Sequence, residues 1–245
     1  MKELFCTRED HEARVVRLVE RIRSAPGEPL RLGKKTSNLF RTRSRHRGRI
    51  LDVSDFRHVI SIRDHLAEVE GMTTFEDFAD ACLAHGFCPP VVPELKTITI
   101  GGAVTGIGIE SSSFRNGFVH ETVEEMDILC GDGQVRTCRA DNEHADLFFS
   151  FPNSYGTLGY ALRLLVRLER AKPNVKLRYE RHRDPAGLLA ALEAACDPSA
   201  DDTPDFVEAV AFAPDDFVLS LAWRTHETGP TSPIGPIGPW APCGP

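Results

Sequence analysis

Several features are scarce or missing in this 245-residue chain, and each absence removes a class of function. No stretch approaches the ~18 uninterrupted apolar residues of a membrane-spanning helix. The start, Met1-Lys-Glu-Leu-Phe-Cys-Thr-Arg-Glu-Asp10, lacks the apolar core of a secretion signal, so the expected location is cytoplasmic. Seven cysteines, at 6, 82, 88, 130, 138, 196 and 243, include no Cys-x-x-Cys pair. An odd count with irregular spacing speaks against a disulfide framework and a zinc site, and leaves the thiols as small apolar fillers. His-x-x-x-His and His-Glu-x-x-His are both missing, which argues against a metal enzyme. A P-loop is missing too: Gly33-Lys34-Lys35-Thr36 has a second lysine where Ser or Thr should follow the first, and no glycine at the required upstream spacing. Gly106-Ile-Gly108-Ile-Glu-Ser111 begins like the fingerprint of a doubly wound sheet, but Ser111 stands where the third glycine belongs.

What is present suits an ordinary globular protein: 41% hydrophobic residues are enough for one good core, or for one domain plus part of a second. The net charge of −7 hides an asymmetry, because residues 1–49 carry 14 Lys and Arg against 6 Asp and Glu, while the remainder carries 15 against 30. The basic part peaks at Arg41-Thr-Arg-Ser-Arg-His-Arg-Gly-Arg49. That run has no interleaved aromatic residues and is followed by an acidic chain, so no nucleic-acid partner is expected. A solvated loop rim that attracts an anionic cofactor is the better reading.

Periodicity predicts an amphipathic helix over 9–23, with apolar Val15, Val16, Leu18, Val19 and Ile22 set amid charges, ending before Pro26 and Gly27. Short strands follow at 30–32, 50–53, 59–62 and 67–69. Thr73-Thr-Phe-Glu76 fits a capping box opening a helix whose apolar face is Phe75, Phe78, Ala79, Cys82 and Leu83, stopped by Gly86. Strands at 123–129 and 134–138 flank the hairpin signal Cys130-Gly-Asp-Gly133; a short helix at 145–149, a buried strand at 161–168, a pause near Lys172 and Pro173 after which 175–179 opens a new unit, a helix at 185–196 and strands at 207–212 and 218–221 complete the pattern. This order is α+β. From Gly229, proline recurs at every third position to Pro245, which predicts a polyproline-II-like tail, and the change to low complexity suggests an interrupted reading frame near Trp223.

The most informative stretch is 97–117. Ile98 and Ile100 alternate as in a strand, and Gly101, Gly102, Gly106 and Gly108 then remove the Cβ atoms that would hold a ligand away from the backbone. N–H groups in such a turn make an anion-binding concavity, with Ser111, Ser112 and Ser113 adding hydroxyl donors. A plain tight turn is the alternative.

The motifs at 33–40, 71–76, 93–117 and 153–159, in this order, resemble the FAD-binding domain of the vanillyl-alcohol oxidase/p-cresol methylhydroxylase superfamily, nearest to its 24-dehydrocholesterol reductase branch. The phrases that carry the resemblance are Glu70-Gly-Met-Thr-Thr-Phe-Glu76, Gly106-Ile-Gly-Ile-Glu-Ser-Ser-Ser113 and Asp146-Leu-Phe-Phe-Ser-Phe-Pro-Asn-Ser-Tyr-Gly-Thr-Leu-Gly159, leading into Ala171-Lys-Pro-Asn-Val-Lys-Leu-Arg-Tyr-Glu180. The resemblance implies two α+β subdomains, about 10–92 and 93–172, within an FAD-binding domain over 1–172. It further implies the start of a substrate-binding cap over 173–228 that the chain does not complete, ahead of the tail at 229–245 that the proline period marks. Lys34, Lys35, Thr36, Ser37 and Asn38 match the family's pyrophosphate loop. Thr99, Ile100, Gly101, Gly102, Ala103, Val104, Thr105, Gly106, Ile107, Gly108, Ile109, Glu110 and Ser111 match its second cofactor segment, and Gly156 and Thr157 match a turn facing the flavin. The first loop offers no histidine, so the implied FAD is non-covalent. Reduction of a carbon–carbon double bond in a sterol-like, hydrophobic substrate, with NADPH or NADH as donor, is the implied chemistry. No catalytic acid or base is assigned. Glu110 and Arg115 are either charges that tune the flavin or members of an ordinary salt bridge, and His120 reads as a structural residue. An FAD-binding module without turnover is the alternative to an enzyme.

Overall fold

In the computed structural model, the structure describes residues 3–24, 27, 29–33 and 48–229. The loop 34–38, most of the basic run and the proline-rich segment from Pro230 lie outside the described residues. Helix α1 (Arg8–Arg23) opens at Thr7, whose hydroxyl accepts from the Asp10 N–H while the Asp10 carboxylate reaches back to Thr7, a reciprocal cap. Leu18 and Ile22 are its buried contacts; together with Leu51, Val53, Phe56, Met72, Leu129, Tyr160 and Leu162 they form the smaller of two apolar cores. Strands β1 (Leu30–Gly33) and β2 (Arg49–Asp52) form a parallel pair.

The main sheet is antiparallel, in the order β3 (Val59–Arg63), β4 (Leu66–Glu70), β8 (Tyr160–Arg167), β6 (Val123–Leu129) and β7 (Val135–Arg139). It draws two strands from before residue 92 and three from after it. Asp64 and His65, both with positive φ, make the two-residue turn between β3 and β4 without glycine or asparagine. One face of the sheet, carrying Val69, Leu164, Val166 and Met126, packs against α2 (Phe75–Leu83), α3 (Ile100–Gly106) and Phe151, and this is the larger core. Full burial of each such side chain contributes about 1.5–3 kcal/mol. The other face carries charge: Arg163 stands opposite Glu70 on one side and Asp127 on the other. Its buried guanidinium donates to Asp127 Oδ2 at 2.6 Å and to Glu125.

Strand β5 (Phe87–Cys88) pairs with β9 (Glu169–Arg170). A second antiparallel sheet, β10 (Asn174–His182), β12 (Asp216–Thr225) and β11 (Phe206–Ala213), is packed by α6 (Pro185–Ala195), with Leu219 and Leu221 buried beneath it. Two short helices, α4 (Ser113–Asn116) and α5 (Ala145–Ser150), complete the described elements named here. Strand β12 runs unbroken through Trp223 to Thr225. No described helix is long and apolar enough to cross a membrane.

The α+β class holds, and two local readings do not. The cap of α2 is Thr74, which accepts from the Asp77 N–H, so the capping residue sits one position later than the Thr73/Glu76 spacing predicted. The strand expected through Ile98 and Ile100 is instead the entry to α3, capped by Thr99, with only an isolated bridge from Thr99 to Thr74. Two alternating isoleucines are too few to fix a strand once backbone partners are supplied from elsewhere.

Candidate cofactor site

Helix α3 contains three glycines, which disfavour a helix by about 1 kcal/mol each relative to alanine, so tertiary contacts must hold it. They are specific: the Ile100 N–H donates to Thr73 O at 2.9 Å, the Gly101 N–H to Gly71 O at 3.0 Å, the Gly102 N–H to Thr99 Oγ1 at 3.2 Å and the Ala103 N–H to Thr99 O at 2.9 Å. These four N–H groups are therefore engaged within the protein, and an anion concavity made from them, as the glycine run suggested, is not built. Gly101 is needed for a different reason. A Cβ there would meet Gly71 O at 2.8 Å, so glycine lets the two backbones touch. Gly108 similarly lies under Val119, whose Cγ2 would be 2.6 Å from an added Cβ. Gly106, by contrast, has nothing within 4 Å of the missing Cβ.

Burial divides the matched segment. Thr99, Ile100, Gly101, Ala103 and Val104 are buried in the protein. Gly102, Thr105 and Gly106 share the opposite, accessible face at i, i+3 and i+4, and Ile107 and Ile109 follow as exposed apolar residues. The Thr105 hydroxyl donates back to Gly101 O at 2.9 Å, which fixes its rotamer.

The second matched turn comes to this face. The Tyr155 N–H donates to Thr105 O at 3.0 Å, placing Gly156 and Thr157 beside the C-terminal end of α3. The backbone is strained on both sides of that contact. Ile107 has φ 57°, Asn153 φ 60° and Tyr155 φ 51°, and a β-branched residue in this region is an outlier. Such conformations cost on the order of 1–3 kcal/mol each and persist where the surroundings impose them, which is characteristic of ligand clamps. Gly156, at φ 82°, is a position where glycine belongs, and Thr157 closes the turn through its hydroxyl on Ser154 O at 2.7 Å. Ser154 Oγ is buried with no hydrogen-bond partner, a polar atom left for a ligand to satisfy. An open glycine face, a strained clamp and an unpartnered hydroxyl fit an elongated cofactor with polar and apolar parts.

Other expected residues lie to the side. Glu110 and Ser111 line a cavity of about 250 Å³ with Cys88, Pro90, Val175, Phe206 and Arg224. Burial, together with Glu94 and Glu208 nearby, raises the Glu110 carboxyl above its ordinary value. Ser112 Oγ donates to Pro90 O at 2.8 Å, and Ser113 Oγ accepts from the Glu110 N–H at 3.0 Å, so these hydroxyls organise the loop. Arg115 is paired with Asp205, the ordinary salt bridge of the two readings. His120 is held below its usual range by burial. Cys82 and Cys138 are buried apolar residues; burial pushes the Cys82 thiol up to about 12.

Comparison with known proteins now bears on this geometry. The family model described as "FAD binding domain" matches residues 7–139, more than half of the chain. The Delta(24)-sterol reductase of Homo sapiens is 31% identical over 185 residues, covering 76% of this chain and 35% of that protein. The Delta(24)-sterol reductase of Pisum sativum is 32% identical over 173 residues, covering 67% and 30%. Cytokinin dehydrogenase 10 of Oryza sativa subsp. japonica is 32% identical over 117 residues, covering 48% and 21%. The chain spans about a third of the length of the sterol reductases it matches. Helix α1, β1 to β4, α3 and the strand pair β6–β7 all fall inside the family match, and on that extent the chain belongs to the FAD-binding domain family.

Proposed function

We propose that this protein binds FAD non-covalently across the face made by Gly102, Thr105, Gly106 and Ile107 and the turn Tyr155-Gly156-Thr157. We read its activity as an oxidoreductase that reduces a carbon–carbon double bond in a sterol-like, hydrophobic substrate. The observation that carries the reading is the single hydrogen bond from Tyr155 to Thr105, which joins two separately matched segments where three non-glycine residues hold positive φ. In this reading residues 1–172 are the FAD-binding unit and 173–228 the substrate-side unit, in a cytoplasmic protein. The loop Lys34 to Asn38 offers lysines for the diphosphate and no histidine for a covalent bond. FAD, when bound, supplies hydride transfer between NADPH or NADH and the substrate. The protein's part is to orient it: the Thr105 carbonyl and hydroxyl are both fixed, and the Gly106 backbone admits close approach.

The second reading is an FAD-binding module without turnover; the aligned region is about a third of each matched sterol reductase. One preparation separates the two. Purified protein that shows flavin absorbance and oxidises NADPH or NADH only when desmosterol is added supports the enzyme. Flavin absorbance with neither nicotinamide nor oxygen turnover supports the module. Protein that stays colourless after incubation with excess FAD refutes both.

A further inference from the structure

Glu70 lies off the cofactor face, and its side chain has no exposed surface. Its Oε1 accepts from His11 Nδ1 at 2.7 Å and from Arg14 Nη2 at 2.8 Å; its Oε2 accepts from the His58 backbone N–H and from His58 Nδ1, both at 3.0 Å. A carboxylate only accepts, so both imidazoles carry a proton on Nδ1. Cys6 touches Arg14 at 3.0 Å, and the buried Tyr160 phenol lies close enough to feel the same carboxylate's charge. Ligand atoms of Cys6, His58 and Glu70 lie within 4.8 Å of one another, as a metal site would require, but Arg14 Nη2 donates to both Cys6 and Glu70. The cation in that place is the guanidinium.

Burying a charge this deeply contributes little net stability even when it is paired, so the cluster calls for another purpose. The backbone supplies one. The Glu70 N–H donates to His58 O at 2.9 Å, and the next residue, Gly71, donates to Leu162 O and accepts the Gly101 N–H. Thr73 donates its hydroxyl to His58 O at 3.1 Å and accepts the Ile100 N–H on its carbonyl. The segment 70–73 is thus tied to α1 and His58 on one side and to the first turn of α3 on the other.

We infer that Glu70 is a positioning residue for the flavin site: by gathering His11, Arg14 and His58 it fixes the Gly71 and Thr73 carbonyls from which α3 hangs. This rests on the flavin reading above. The test uses the full chain, Glu70→Gln, and a control, Leu219→Ala, that disturbs the buried core of the three-stranded sheet instead. Amide hydrogen exchange is measured without cofactor, and FAD is then titrated by flavin fluorescence. In Glu70→Gln the Ile100 and Gly101 amides are expected to exchange at least tenfold faster while those of β10 to β12 do not change, and FAD binding to weaken at least tenfold. In Leu219→Ala, FAD binding is expected to be retained despite a lower melting temperature. Unchanged exchange at Ile100 and Gly101 overturns the inference, as does an equal loss of FAD affinity in the control. Should Glu70→Gln not fold, Arg14→Gln, which removes the guanidinium and its Nε and Nη2 hydrogen bonds to Glu70 and leaves both histidines, is read in the same two ways. Faster exchange in Glu70→Gln alongside wild-type protein that takes no FAD refutes the flavin reading and leaves Glu70 as an anchor of α3 alone.

Discussion

Two glycines of α3 make opposite predictions when each becomes alanine. At Gly101 the new Cβ would stand 2.8 Å from Gly71 O, 0.6 Å inside the 3.4 Å at which ordinary contact begins, and 3.2 Å from Gly71 Cα. Both neighbours are backbone, so no side chain can swing away. Overpacking of this kind costs about 1–3 kcal/mol, and moving α3 aside also loses the hydrogen bond from Gly101 to Gly71, worth about 1 kcal/mol. The helix propensity gained by alanine returns about 1 kcal/mol. The net is a loss of about 1–3 kcal/mol, a fall in melting temperature of roughly 2–12 °C for a chain of this size. At Gly106 nothing lies within 4 Å of the added atom, so only the propensity term remains and stability rises by up to about 1 kcal/mol. Yet Gly106 is on the face assigned to FAD, and a methyl group there is expected to weaken FAD binding at least tenfold, about 1.4 kcal/mol. Thermal melts and flavin titrations of both variants check this. A Gly101→Ala protein as stable as wild type refutes the packing argument, and a Gly106→Ala protein that binds FAD as tightly as wild type shows that the open face is not the cofactor face.

Other expectations are more local. Thr74→Ala removes the cap on α2 and should lower stability by about 1 kcal/mol in urea unfolding, with Thr73→Ala lacking that capping effect. Arg163→Leu removes the buried cation between Glu125 and Asp127 and leaves Glu125 only the half-exposed Arg139 at 3.6 Å; unfolding at pH 7 should show a loss of about 3 kcal/mol that narrows on acidification as one carboxylate takes a proton. The Glu70 carboxyl feels burial, which raises its pKa, but hydrogen bonds from His11, Arg14 and His58 outweigh it and hold it below its usual range. Its contribution is therefore complete above the ordinary carboxylate value of about 4.3 and lost as pH falls through the lower folded value. Urea midpoints measured from pH 6 to pH 3 should fall further in wild type than in Glu70→Gln.

Much of the architecture is legible from pattern. The 3.6-residue spacing from Val15 to Ile22, the apolar face from Phe75 to Cys82 and the Cys130-Gly-Asp-Gly133 turn each act within a few residues, where side-chain chemistry alone decides the outcome. Helix α3 is different: its glycines argue against a helix, and it forms because Gly71 and Thr73, some thirty positions earlier, accept its first N–H groups. Of the three segments expected at the candidate site, 34–38 lies outside the described residues, and the division of labour within the other two was not legible. Nothing in the sequence distinguishes Gly101, which lets two backbones meet, from Gly106, which faces open space. Nor does it show that Ile107 is forced to positive φ, a conformation isoleucine does not choose for itself. Glu70 sits in a recognisable phrase, but its partners at 11, 14 and 58 become neighbours only after folding.

The register of the central sheet also sets an order of events during synthesis. Leu66 faces Arg167, so β4 has no partner on its inner edge until about a hundred further residues have been made, and closing so long a loop is slow. Until then β3 and β4 stand as a lone hairpin, marginal by itself, with the Gly71 and Thr73 carbonyls displayed beside a sheet that does not yet exist. A nascent chain released before β8 emerges would carry the basic N-terminal region and most of the matched glycines, and still have no rigid surface on which to arrange them.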